Sequence, residues 1–85
     1  MAKKLTPYEL FITELYGFNR EFENSSEYVT KRYKNYHLVI VKEQGLYILK
    51  VSLIEGGFSK ETASTDLSKL ISDGIEYIDW CVHYG

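Results

Sequence analysis

A helix signal opens the pattern of polar and apolar residues. The stretch from Thr6 to Glu9 places Thr at the N-cap, Pro7 at the first helical position and Glu two positions later. In this arrangement the hydroxyl and the carboxylate accept hydrogen bonds from each other's backbone N–H, and proline has no N–H to leave unpaired. Four apolar residues then follow the helical period: Tyr8, Phe11, Ile12 and Leu15. Gly17, followed by Phe18, is typical of a helix end, although the pattern also permits continuation to residue 22.

After the first helix the chain passes from a polar segment to one rich in β-forming residues. Residues 20–27 are mostly polar and predict a loop. Residues 28–33 are rich in aromatic and β-branched side chains and predict a first strand. Because Lys31 and Arg32 would discourage pairing with another chain, we expect this strand at an edge of the sheet.

A hairpin is the best-defined element. Residues 36–42 and 46–54 are β-forming, and Glu43-Gln44-Gly45 between them predicts a three-residue turn with Gly45 in the left-handed region. That turn pairs Ile40 with Ile48. One predicted face carries His37, Val39, Val41, Tyr47, Leu49, Val51 and Leu53. The other predicted face carries Tyr36, Leu38, Ile40, Leu46 and Ile48, with Lys42 and Lys50 at its border.

A second helix closes the chain. Gly56-Gly57 ends the last predicted strand, and Thr65-Asp66 opens the helix, although Ser59 is an alternative start. Six apolar residues form one stripe at helical spacing: Leu67, Leu70, Ile71, Ile75, Ile78 and Val82. Gly74 lies within this stripe, where glycine costs about 1 kcal/mol relative to alanine, so the helix has a potential break there.

These elements predict one small α+β domain over residues 1–85, in the order α-β-β-β-α. We expect a three-stranded antiparallel sheet whose odd-numbered hairpin face packs against two helices. The even-numbered face is then either covered by one of the helices or left as an interface. We favour an interface, in its simplest form a homodimer packed sheet to sheet, because a two-fold axis lets one apolar patch cover itself.

Charge and cysteine content narrow the class of protein. The net charge of −2 shows no basic surplus for nucleic acid, which favours a protein partner. Cys81 is the only cysteine, and no apolar run is long enough to span a membrane. We therefore expect a cytoplasmic protein without membrane association. The eight lysines against two arginines, with scarce alanine and proline, point to an AT-rich source such as a low-GC bacterium, its phage or a plasmid.

Candidate catalytic chemistry is sparse. Asp79, Cys81 and His83 are potential metal ligands, but alternate residues of a helix point about 200° apart and cannot converge on one ion. His37 lies on a strand with no nucleophile placed near it, so we interpret it as structural. Gly56-Gly57 lacks the remaining spacing of a phosphate-binding loop. We expect no enzymatic activity, no metal and no cofactor.

Aromatic residues mark a candidate partner-binding surface. At 100° per residue Tyr77, Trp80 and Tyr84 lie together on the second helix, away from its apolar stripe and beside Asp73 and Glu76. Aromatic rings bordered by charge are the composition of binding hot spots. The alternative is that Trp80 covers the edge of the core or packs on the first helix.

The segment from Gly57 to Ser64 resembles a motif of the double-stranded-RNA-binding domain family. The predicted order of helices and strands also resembles that of this family. Matching positions are Gly57, Ser59, Lys60 and Ala63. The resemblance implies that this segment starts the last helix and clamps phosphates. Glu61 and Ser64 stand where that family has lysines, and a glutamate repels phosphate, so the resemblance supports topology and argues against RNA binding.

The expected function is a small non-catalytic protein-interaction module, such as an inhibitor or adaptor encoded by a bacterium, phage or plasmid. The alternative is a nucleic-acid-binding regulator that uses cations of the sheet. Those cations are Lys31, Arg32, Lys34, Lys42 and Lys50. Their convergence on one surface of the fold would favour that alternative.

Overall fold

Two helices lie on one face of a five-stranded antiparallel sheet in the computed structural model, which describes residues 4–24 and 26–84. The elements in chain order are α1 (Pro7–Leu15), β1 (Asn19–Glu23), β2 (Ser26–Tyr33), β3 (Tyr36–Glu43), β4 (Leu46–Leu53), β5 (Ser59–Ser64) and α2 (Leu67–Tyr84). The strands follow one another in space in the same order. The α+β class is confirmed, but the sheet has five strands where three were predicted. Residues 1–3 and 85, at the ends of the predicted domain, and Ser25, within the predicted loop, lie outside the described residues.

The predicted ends of α1 are confirmed. The Thr6 hydroxyl accepts a hydrogen bond from the Glu9 N–H at 3.2 Å, and Glu9 Oε1 accepts one from the Thr6 N–H at 2.7 Å. Gly17 has a φ of 86°. Its N–H donates to the Glu14 carbonyl at 2.9 Å, and the Phe18 N–H donates to the Thr13 carbonyl at 3.0 Å. This pair of bonds is the Schellman ending, so the helix stops where glycine allows the left-handed residue.

The predicted loop at residues 20–27 is wrong, because these residues include most of β1 and the start of β2. All five residues of β1 are exposed, so the strand has no alternating apolar pattern to reveal it. β2 therefore lies inside the sheet and not at its edge. Lys31 does not protect an edge: its Nζ donates to the Tyr16 carbonyl at 2.8 Å and so stabilises the end of α1.

The segment Ser59–Ser64 is the edge strand β5, so it neither continues the preceding loop nor starts a helix. It pairs with β4 and sets Glu61 opposite Lys50. The helix start implied by the resemblance to the RNA-binding family is therefore wrong for this segment. The predicted start at Thr65-Asp66 is confirmed, because Asp66 Oδ1 accepts a hydrogen bond from the Lys69 N–H at 3.1 Å, three residues on.

The register of the β3–β4 hairpin differs from the prediction by one residue. Gln44 and Gly45 have φ values of 49° and 83°, which gives a two-residue turn of the mirror-image class that suits the twist of a hairpin. Ile40 consequently lies opposite Leu49, and Leu38 lies opposite Val51. A shift of one residue moves one strand's side chains to the other face. The two predicted faces are therefore each divided between the two sides of the sheet.

The core lies between the helices and the face of the sheet on which the observed register places Ile40 and Leu49 together. Its strand residues are Val29, Leu38, Ile40, Leu49 and Val51, and its helix residues are Leu67, Leu70, Ile71 and Ile78. α2 runs over β4 and β5, while α1 lies beside β1 and α2. The potential break in α2 is absent, since the helix continues through Gly74. A Cβ atom at Gly74 would overlap Cδ2 of Leu49, so glycine permits the close approach of α2 to the sheet.

Candidate functional site

A groove of about 340 Å³ separates α2 from β5. Leu49, Val51 and Leu70 contribute its apolar lining. Polar residues border it on both sides: Lys60, Thr62 and Ser64 from β5, and Lys69 and Asp73 from α2. This volume is within the range of pockets that hold small ligands or single side chains of a partner.

A second depression of about 370 Å³ continues along α2 and is lined by Asp73, Glu76, Tyr77 and Trp80. Asp73 and Tyr77 line both depressions, so the two are continuous. We call the combined surface, with the neighbouring ring of Tyr84, the α2–β5 surface. The structure thus brings the five predicted partner-binding residues to one side of α2.

Trp80 and Tyr84 project from this surface. Their rings are 5.5 Å apart and tilted by 41°. Trp80 is 59% exposed and Tyr84 is 70% exposed. The alternative interpretation, in which Trp80 covers the core edge, does not agree with this exposure. Because α2 is well packed along Ile71 and Ile78, the exposed rings stand on a rigid base.

Tyr77 has a different environment from the other two aromatic residues. Its half-buried ring stacks on Phe58 with centroids 6.3 Å apart, and the Lys60 ammonium lies 3.9 Å from its centroid. Hydrogen bonding to the Cys81 thiol and then desolvation raise the pKa of its hydroxyl. Tyr77 therefore connects α2 to β5 and forms one wall of the groove.

The five residues of the predicted sheet interface do not form one patch. Leu38 and Ile40 are fully buried beneath the helices, and Tyr36 shares their face and packs edge-on against Phe58. Leu46 and Ile48 lie on the opposite face. That open face carries half-buried Val39, Val41 and Ile48, with charged residues around them. Both helices do share one side of the sheet, but the shifted register changes which residues remain outside.

The five cations considered for nucleic-acid binding do not converge. Lys31 binds the Tyr16 carbonyl, Lys34 Nζ lies 2.6 Å from Asp79 Oδ1, and Lys42 Nζ lies 2.9 Å from Glu9 Oε2. Arg32 and Lys50 lie on the open face, where Lys50 is opposite Glu61. The five cations are thus divided between the two faces of the sheet and the turn after β2, so the condition for the nucleic-acid alternative is not met.

α1 presents an apolar stripe to solvent, which the sequence did not indicate. Tyr8, Phe11 and Leu15 are 57–69% exposed, whereas Glu9 and Thr13 on the inner side are buried. Glu9 is held there by Lys42 and by a hydrogen bond from the Tyr47 hydroxyl. Helical spacing predicted the helix, but this polar contact determines which of its sides faces the sheet.

The potential metal ligands near the end of α2 have other partners. Asp79 Oδ1 accepts hydrogen bonds from the Tyr33 hydroxyl at 2.7 Å and from Lys34 at 2.6 Å. The His83 ring packs edge-on against Tyr84, with centroids 4.5 Å apart. Within residues 4–24 and 26–84, no three His, Cys, Asp or Glu side chains are grouped as a metal site. His37 is exposed on the open face, opposite Arg32 and Ser52.

Neither helix of the described chain is long and apolar enough to cross a membrane. Comparison with protein-family models, with curated proteins and with solved structures found no match to this chain.

Proposed function

We propose that this chain is a non-catalytic protein-interaction module whose recognition site is the α2–β5 surface. The observation that carries the proposal is the continuity of an apolar groove with an exposed aromatic pair, Trp80 and Tyr84, through the shared wall residues Asp73 and Tyr77. Tryptophan and tyrosine are enriched among the residues that dominate protein-binding energies. A groove beside them can receive a partner's side chain and exclude water from the contact.

The polar groups of this surface support binding more than chemistry. Lys60, Lys69 and Asp73 lie at the border of the groove, while aliphatic side chains and the ring of Tyr77 form its apolar part. An apolar centre with a charged rim is the anatomy of a protein interface. Charges at such a rim orient a partner and increase its association rate.

The apolar stripe of α1 is a second contact surface. Tyr8, Phe11 and Leu15 are spaced as the anchors of a helix that lies in a partner's groove. Two separate apolar surfaces suit an inhibitor or adaptor that covers part of a larger protein. The lysine-rich composition supports a bacterial, phage or plasmid source with a low-GC genome, and the single cysteine supports action in the cytoplasm.

Affinity capture with a matched pair of variants tests the recognition site. The wild type, Trp80→Ala and Phe22→Ala would be immobilised and exposed to lysate of a low-GC bacterium, with retained proteins quantified by mass spectrometry. Phe22 is the control because it is also 59% exposed, but lies on β1 at the other edge of the sheet. We expect a protein retained by the wild type and Phe22→Ala and depleted about tenfold or more with Trp80→Ala, as for a hot-spot residue. Equal retention by Trp80→Ala, or no specific retention by the wild type, contradicts the proposal.

A further inference from the structure

The outer edge of β5 is open. Among the described residues β5 pairs with β4 alone. Its first five residues, 59–63, are exposed, and only Ser64 is half-buried. An edge strand of this kind presents unpaired backbone N–H and C=O groups that can pair with another chain.

The register identifies which backbone groups point outward. The Leu53 N–H donates to the Phe58 carbonyl at 3.1 Å, just before β5 begins. Hydrogen-bonded and non-hydrogen-bonded pairs alternate along an antiparallel ladder. Continuing this alternation, residues 60, 62 and 64 bond to β4, whereas the N–H and C=O groups of Ser59, Glu61 and Ala63 point away from it.

We propose that the α2–β5 surface binds an extended peptide segment of a protein partner as a sixth strand of the sheet. This inference rests on the proposed function and specifies the form of the ligand. Addition of a strand supplies affinity through main-chain hydrogen bonds, and pockets for alternate side chains supply specificity. Here Ser59, Glu61 and Ala63 provide the main-chain groups, and the groove between β5 and α2 receives the side chains.

The lining specifies what the segment should contain. Leu49, Val51 and Leu70 require an apolar side chain in the groove. Two basic residues, Lys60 and Lys69, border the groove, together with one acidic residue, Asp73. This surplus of positive charge favours a carboxylate on the peptide. Side chains two positions apart in a strand share a face, so we expect an apolar residue and an acidic residue in that spacing.

Two of the registers in which a second copy of the chain could pair with this edge are disfavoured. Pairing of two β5 strands about Glu61 would set one glutamate opposite the other. Pairing about Lys60 would do the same with lysines. Like charges directly opposite each other destabilise an antiparallel pair. A peptide of a different protein has no such restriction on its register, and dimer formation is an outcome that the test distinguishes.

The test uses a random library of short displayed peptides selected on the immobilised wild type. A selected peptide would be synthesised and titrated against the wild type, Ala63→Pro and Ala63→Thr. Proline removes the outward N–H of residue 63, but removes no bond of the β4–β5 ladder. Threonine keeps the N–H and suits a strand. We expect about tenfold weaker binding by Ala63→Pro, unchanged binding by Ala63→Thr, and slower amide hydrogen exchange at Glu61 and Ala63 when the peptide is bound.

A second measurement leaves the protein unchanged and so remains valid even if Ala63→Pro does not fold. N-methylation of the peptide at alternate residues should abolish binding in one register only, because only alternate N–H groups of an added strand face β5. Four results would overturn the inference. Two concern binding: equal binding by all N-methylated peptides, or equal binding by Ala63→Pro and the wild type. The other two are a wild type that sediments as a dimer through β5 and failure to select any peptide. A peptide weakened by Trp80→Ala but not by Ala63→Pro would overturn the added strand alone and leave the proposed function standing.

Discussion

Glu9 on α1 and Lys42 on β3 form an ion pair on the inner side of the helix, with Oε2 and Nζ 2.9 Å apart. The glutamate side chain is 5% exposed and the lysine side chain is 28% exposed. The same carboxylate accepts hydrogen bonds from the Thr6 N–H and the Tyr47 hydroxyl. One side chain therefore caps α1 and fixes it to two strands, which leaves the apolar stripe of the helix facing solvent.

Glu9→Gln tests this contact. Glutamine can still accept from the Thr6 N–H, so the substitution removes the charge and retains the cap. We expect a loss of about 1–2 kcal/mol at neutral pH, less than for a fully buried pair because Lys42 is partly exposed. Urea unfolding would measure it. An unchanged free energy of unfolding would show that the ion pair does not hold α1.

The acid dependence of stability should change in the same variant. Burial raises the pKa of Glu9, but hydrogen bonds from Tyr47, Thr6 and Lys42 outweigh this effect and lower the pKa below its ordinary 4.5. Because its pKa is lowered in the folded state, the ionised Glu9 carboxylate stabilises the fold above pH 4.5. This stabilisation is lost as the pH falls through the lowered pKa. We expect the difference in unfolding free energy between wild type and Glu9→Gln to shrink in acid. A difference independent of pH would contradict this assignment.

The capping box predicts a separate effect at Thr6. Replacement by alanine leaves the Glu9 N–H without its acceptor and should cost about 1 kcal/mol. Thr65→Ala is the matched control, because Asp66 caps α2 and Thr65 is exposed. Chemical denaturation of both variants would measure the difference. Equal midpoints for the two variants would argue against the capping role of Thr6.

Gly74 should resist replacement by alanine. Alanine is about 1 kcal/mol better than glycine within a helix, but its Cβ would overlap Leu49, which is 1% exposed and has little room to move. We expect net destabilisation of about 1–2 kcal/mol, as for overpacked cores. Ser72→Ala, at an exposed position of the same helix, should be neutral or stabilising. A higher thermal midpoint for Gly74→Ala would show that α2 does not approach the sheet so closely.

Two phenylalanines, Phe11 on α1 and Phe18 just beyond its end, provide a direct test of whether the apolar stripe of α1 faces solvent. Phe11 is 57% exposed and Phe18 is 5% exposed. Phe18→Ala should cost about 3 kcal/mol or more, whereas Phe11→Ala should change stability by less than about 0.5 kcal/mol. Thermal unfolding of the two variants would compare them. A large loss for Phe11→Ala would place the stripe in the core and remove it as a contact surface.

Features set by neighbouring residues could be predicted from the sequence. The cap at Thr6 and the ending at Gly17 each depend on one turn of helix, and the stripe of α2 is long enough to show its period. β1 and β5 could not be found in this way, because their side chains are almost all exposed and neither alternates between polar and apolar residues.

The residues of the turn did not determine the register of the hairpin. Glycine at residue 45 suits a turn of two or three residues, and Gln44 adopts a left-handed conformation that few non-glycine residues take. The polar residues do contain a signal: only the observed register places His37, Lys50 and Ser52 together on the open face.

The candidate site could likewise be predicted only in part from the sequence. The grouping of Trp80 and Tyr84 followed from helical geometry, but the opposite wall of the groove belongs to the undetected strand β5.

The most direct test of the recognition site uses the fact that Trp80 is the only tryptophan. Protein labelled with 5-fluorotryptophan gives one ¹⁹F resonance from this position, while an unlabelled partner remains invisible. We predict that the resonance shifts or broadens in proportion to complex formed with a captured partner, with complex formation followed in parallel by sedimentation. A complex that forms fully while the Trp80 resonance stays unchanged would contradict the account, because the partner would then bind elsewhere than the α2–β5 surface.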